Sequence, residues 1–179
     1  GTLQWTADNL ELQINNGGTL SVNSGGILNE NNWGSAKIFL ITNDSSYVLN
    51  NEGSFTIDDV ELYNDGGSLN ITGSADITVT NNFVLSDPDV TVTNNNTATL
   101  DIQHDLNLTG NTGTFTNNET IDVGNNFKLD GADCNFTNNG PLNVTNDLNL
   151  KGNNSILTNS DTITVSDRIQ FQESNRSLR

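Results

Sequence analysis

From Thr99 onward apolar residues fall in pairs two apart, and the pairs return every 21 residues. Counted from Thr99, the second and fourth positions of successive units read Leu100 and Ile102, Ile121 and Val123, Leu142 and Val144, Ile163 and Val165. The eighth and tenth read Leu106 and Leu108, Phe127 and Leu129, Leu148 and Leu150, Ile169 and Phe171. The seventeenth is Phe115, Phe136, Leu157 and Leu178. A period of two is that of a strand buried on one face, and the i, i+3, i+4, i+7 spacing of an amphipathic helix is missing throughout. Three short strands repeated at a fixed period predict an all-β fold, a parallel β-solenoid in which each coil stacks on the one before.

The polar positions fit the same plan. Between the second and third strands stand Gly110, Gly131 and Gly152, which suit a corner that needs positive φ. Along the third strand Gly113, Cys134 or Ser155, then the large apolar residue, then Asn117, Asn138 or Asn159 share one parity and point inward. Carboxamides stacked at the strand spacing of about 4.8 Å can each donate to the next and accept from the last, which removes the cost of burying them. An internal asparagine ladder of Asn16, Asn51, Asn94, Asn117, Asn138 and Asn159 is therefore expected. Their neighbours Asn118, Asn139 and Ser160 are expected to face solvent or cap the turn.

Upstream the register slips. Ile77, Val79, Phe83, Leu85, Val92 and Asn94 form a 23-residue unit, and Phe55, Ile57, Val60, Leu62 and Leu69 another in which Ile71 takes the ladder position. Leu49 and Asn51 close the unit before it, and Ile14 and Asn16 close the first, whose strands include Leu3, Trp5, Leu10 and Leu12. Residues 23–45, with the run KIFLIT and Trp33, have no clear register and read as an insertion, an irregular coil or a loop over the N-terminal end. The chain thus divides into irregular coils over 1–54 and regular ones over 55–179, within one domain of about eight coils and a rod about 40 Å long.

Composition narrows the partners. The chain holds 33 Asn and 16 Gly against 2 Pro, with 48 Leu, Ile, Val and Phe to fill a core; its Asn-rich, low-complexity character is the feature that keeps disorder in view. A net charge of −16, from 22 acidic and 6 basic residues, argues against nucleic acid and against anionic membrane surfaces, and favours solubility and weak divalent-cation binding. Cys134 is the single cysteine, so no disulfide can form within one chain. No apolar run reaches transmembrane length. The absence of Met suggests a processed or excised extracellular piece.

The LxV, LxLxG and FTNN elements of the units resemble rungs of right-handed parallel β-helix proteins of the pectin-lyase-like and autotransporter-passenger type, and especially secreted surface proteins and adhesins of Bacteroidetes. That resemblance implies a right-handed coil and an extracellular location, and it says little of function, because adhesins, lyases, hydrolases and tailspikes share the architecture.

Several constellations offer chemistry. Asp101 and Asp122 fall at equivalent outer positions, one coil apart, near the carboxylate separation of a retaining glycosidase, although no Lys, Arg or His column accompanies them. Together with Asp105 and Asp147 they form a candidate contact for Ca²⁺ or sugar, while no EF-hand or glycine-rich nonapeptide is present. His104 reads as an exposed turn residue and Cys134 as a small buried filler. TVT occurs at 78–80 and 91–93, as an ice-binding solenoid would have it, but the outer face of the first strands reads T-L-D, T-I-D, P-L-N and T-I-T, so the array is not sustained there. Asn70, Asn107, Asn118, Asn135 and Asn143 begin Asn-x-Ser/Thr triplets, and Asp161-Thr162-Ile163 resembles a Bacteroidetes O-glycosylation signal.

Gly1-Thr2-Leu3 repeats Gly18-Thr19-Leu20, Leu178 still holds the seventeenth position, and Arg168, Arg176 and Arg179 fall in the last coil. These features predict extension of the rod at the C-terminal end, by more chain or by a second copy. The expected role is non-catalytic: an adhesive, stalk or filament segment of a secreted surface protein, whose partners are itself or a glycan. A carbohydrate-active domain using Asp101 and Asp122 is the alternative reading, and an ice-binding solenoid a further one.

Overall fold

The computed structural model describes residues 2–5, 11–15, 17–30, 37–41, 45–63, 66–171 and 177–178. Its strands form three parallel sheets of eight, and the strands of each sheet follow one another at intervals of three along the chain. This is the three-strand parallel β-solenoid that the 21-residue period predicts. The first sheet runs from Thr2–Trp5 to Ile163–Val165, the second from Glu11–Asn15 to Ile169–Phe171 and the third from Gly18–Val22 to Ser177–Leu178.

Register is kept coil by coil. Ile77, Leu100, Ile121, Leu142 and Ile163 pair in sequence in the first sheet, and Phe83, Leu106, Phe127, Leu148 and Ile169 in the second. The alternating apolar residues of all three sheets meet in one continuous core. Phe83, Phe115, Phe127 and Phe136 are wholly buried in it. Phe127 and Phe136 meet edge to face at 4.6 Å between ring centres, a geometry that suits the ring quadrupoles.

The N-terminal third differs from expectation. Leu12 and Ile14 lie in the strand Glu11–Asn15 and pair with Ile38 and Leu40, so Ile14 belongs to the second sheet and Gly18–Val22 supplies the third strand of the first coil. Within residues 23–45 the described segments belong to a coil, which is the irregular-coil reading rather than an insertion or an overlying loop. Ile27–Glu30 and Lys37–Ile41 join the first and second sheets, and with Ser46–Asn51 they complete a coil. Its apolar run KIFLI breaks the alternation that marks the other strands. Leu10, Asn16, Trp33, Glu173, Arg176 and Arg179 lie outside the described residues.

The glycine column also has a different cause. Gly110, Gly131 and Gly152 do not have positive φ; the left-handed residues of these corners are Thr112, Asp133 and Asn154, two positions on, with φ of 60°, 57° and 57°. The glycines are needed because the corners stack backbone on backbone. A Cβ on Gly131 would stand 2.2 Å from the carbonyl oxygen of Gly110, and one on Gly152 would stand 1.8 Å from that of Gly131.

Two substitutions separate these causes. Gly131→Ala is expected to cost about 2–3 kcal/mol or more, since backbone must move. Thr112→Asn, which relieves a β-branched residue of left-handed strain, is expected to gain about 0.5–1 kcal/mol. Urea unfolding of both variants measures the difference; equal effects would overturn the assignment.

Candidate functional site

Side-chain ladders line the corners, and they decide which polar groups remain open to a ligand. Asn94, Asn117, Asn138 and Asn159 pair in register along the third sheet. The Nδ2 of each donates to the Oδ1 of the next at 2.9 Å, three times in succession. Asn94, Asn117 and Asn138 are completely buried, while Asn159 is exposed and turns its Nδ2 to the Asp161 carbonyl. The Oδ1 atoms of Asn94 and Asn117 also accept the backbone N–H two residues on. Asn94 and Asn117 thereby satisfy their corners as well as their neighbours.

Asn51 does not belong to this ladder. Leu49, not Asn51, pairs with Ile71, the residue opposite Asn94; Asn51 stands two residues further on, opposite Gly73. There its Nδ2 donates to the Asp76 carbonyl at 2.7 Å and its Oδ1 accepts from Gly53 N–H. The ladder column is therefore Leu20, Leu49 and Ile71 in the first three coils and Asn in the next four. The expected ladder position of Asn16 lies outside the described residues.

A second ladder runs on the outside. Asn118 donates to Asn95 at 2.8 Å and Asn139 to Asn118 at 2.9 Å. Asn95 in turn reaches Asn70 at 2.8 Å. Asn118 and Asn139 face solvent as the sequence suggests; the signal for the ladder between them was their repeat at the same 21-residue interval as the inner file.

Asp105 and Asp147 occupy a third column, at the corner between the first two sheets. Here Asp59, Asn82, Asp105 and Asn126 each accept, on Oδ1, the backbone N–H of the equivalent residue one coil on. Asp105 also accepts from Asn125 and forms an ion pair with Lys128. Asp147 holds Arg168 through both Nε and Nη2, at 3.2 and 3.1 Å, and Gln170 at 3.2 Å. Both aspartates are buried. Burial alone would raise the Asp105 pKa, but the hydrogen bond and charge of Lys128 and the Asn126 N–H outweigh it and hold the carboxyl below its ordinary value of 3.8.

Asp101 and Asp122 face outward on the first sheet and are directly paired. Burial, then the charges of Asp122 and Asp76, push the Asp101 carboxyl above its ordinary value against a weak hydrogen bond from Gln103. Asn143 donates to Asp122 at 2.7 Å. The structure thus splits the four candidate aspartates: Asp101 and Asp122 share one face, and Asp105 and Asp147 are spent on the corner. Among the described residues no group of three or more His, Cys, Asp or Glu is arranged to hold a metal ion. An open groove of about 410 Å³ lies on the first sheet nearby, lined by Ser54, Thr56, Asp76 and Thr78.

His104 is exposed, with Nδ1 3.3 Å from Asn82 Oδ1. Cys134 is wholly buried between Gly113 and Ser155, donates its thiol to the Gly110 carbonyl, and has its pKa pushed up by burial. Comparison with protein-family models, with curated proteins and with solved structures gave no match.

Replacing Asn117 by Leu leaves the Nδ2 of Asn94, the Oδ1 of Asn138 and the Glu119 N–H without their partner, a loss expected at roughly 2–4 kcal/mol. Changing Asn94, Asn117 and Asn138 together to Leu is expected to cost less than the sum of the three single changes, because whole buried pairs are removed and the first coils already carry aliphatics there. Additive losses in urea unfolding would contradict the ladder. Asp105 gives a pH signature. Its folded pKa is depressed, so its stabilisation is full above pH 3.8 and is lost as pH falls through the lower folded value. Asp105→Asn is expected to flatten the stability profile in that acid range, as followed by circular dichroism.

Proposed function

We propose that this chain is a rigid, non-catalytic structural segment of a secreted surface protein, serving as a stalk or adhesive rod. The observation that carries the reading is the unbroken one-coil register of three sheets, reinforced at the corners by amide ladders. A buried, hydrogen-bonded corner resists bending, and a rod of fixed geometry can hold its outer faces for weak, multivalent contacts. The acidic surface keeps neighbouring rods apart.

A second reading rests on the paired Asp101 and Asp122, which offer a carbohydrate or a cation two carboxylates one strand spacing apart, about 4.8 Å. Loss of glycan binding in Asp101→Asn and Asp122→Asn would favour it.

Small-angle scattering with electron microscopy across a concentration series tests the main reading. Stiff rods about 40 Å long, or filaments that repeat at that length, are expected. A flexible or globular particle would overturn it.

A further inference from the structure

The outer face of the third sheet is unlike the rest of the molecule. From Gly18–Val22 through Ile156–Asn159 every outward residue on its strands is uncharged, in a chain with 22 acidic and 6 basic residues. Through the middle of this face runs a threonine file, Thr93, Thr116, Thr137 and Thr158, paired residue to residue. Thr91 and Thr114 form a short second file beside it, which Asn135 and Ile156 end. On the other side the file is bordered by the Asn95, Asn118 and Asn139 ladder. The third sheet thus sustains one threonine file over four coils, with Thr-x-Thr in two of them.

The hydroxyls of this file are also free. Some threonine side chains are tied back to the protein: Thr72, on this same sheet, to Asn50, Thr97 to the Gly73 carbonyl, Thr109 to the Leu85 carbonyl and Thr112 to Asp89. No hydrogen bond within the described residues engages the hydroxyls of Thr93, Thr116, Thr137 or Thr158. Each therefore keeps one donor and two acceptor positions for something outside. The branch at Cβ restricts χ1, so their directions are set by the backbone. Hydroxyls recur at about 4.8 Å along the file and about 6.6 Å across to the second file.

We propose that this face binds ice. A solid water surface is the ligand that asks for neutral hydroxyls at a fixed repeat. Threonine methyl groups order the adjoining water while the hydroxyls anchor it, and a charged side chain would reorient that layer. A sugar surface is a poorer fit, because it calls for aromatic platforms, and the outward residues of these strands include none. The inference rests on the rigid-rod reading, since only fixed side chains can match a lattice.

The test grows a polycrystalline ice front through a solution of fluorescently labelled chain and measures the fraction taken into the ice. The wild-type chain is expected to enter several-fold more than a labelled globular control, and the Thr116→Glu, Thr137→Glu double variant to be rejected like the control. Thr137→Lys, a single change on the same outward face, is expected to lose most of the uptake and covers the case in which the double variant misfolds. Glu61→Gln, on the second sheet, should leave uptake unchanged. Rejection of the wild-type chain, uptake of the double variant at the wild-type level, or capture by cellulose or chitin without ice uptake overturns the proposal. Scattering on the same samples separates the two readings: a stiff rod rejected by ice overturns only the ligand, whereas a non-rod profile overturns the structural reading beneath it.

Discussion

In a parallel solenoid the backbone hydrogen bonds set each residue beside its own equivalent one coil away, and every side chain must tolerate a neighbour of its own kind at one strand spacing. Most of this molecule follows from that constraint. Aliphatic and aromatic residues meet it by packing. Glycine meets it where two corners stack so closely that a Cβ on Gly152 would overlap the Gly131 carbonyl. Asparagine meets it best among polar residues, because a carboxamide is both donor and acceptor and can bond to a copy of itself; a carboxylate, an ammonium or a guanidinium cannot.

Charge is where the constraint becomes costly, and the corner between the first two sheets handles it by alternation. Asp59, Asn82, Asp105, Asn126 and Asp147 succeed one another, so an amide separates each carboxylate from the next, and Lys128 and Arg168 balance the two later aspartates. Asp101 and Asp122 have no such spacer. The raised Asp101 pKa records the repulsion together with burial. A pair left adjacent where the same chain alternates elsewhere is electrostatically unfavourable, in contrast to Asp105 and Asp147, whose carboxylates are engaged by the protein.

Much of the fold was legible because the period is long enough to fix strand, corner and parity at once. Every regular coil from Phe55 onward lies where the spacing puts it. The failures have physical causes. Asn51 misled because asparagine serves two corner positions two residues apart, and sequence parity is the same for both. The register of 1–45 was obscured because Lys37–Ile41 is apolar at every position after Lys37 and lacks the alternation that reveals a buried face. The glycine column was visible, but its reason was not: positive φ and backbone contact leave the same residue in the sequence. The threonine file was only partly legible because TVT at 78–80 and at 91–93 belong to different sheets, and the sequence alone does not say that the second of them continues as Thr116, Thr137 and Thr158 on one neutral face.

The two asparagine ladders of the third sheet run in opposite senses. Inside, each amide donates toward the C-terminal coils, from Asn94 to Asn117 to Asn138 to Asn159. Outside, each donates toward the N-terminal coils, from Asn139 to Asn118 to Asn95 to Asn70. Two aligned rows of amide dipoles would add to a field along the rod, whereas opposed rows cancel most of it. The arrangement lets one corner hold a double row of polar groups, rigid on both sides of the backbone, without building charge separation as coils are added. It also fixes the border of the threonine file from outside while the buried row fixes it from within, so the neutral face inherits its regularity from the same amides that close the core.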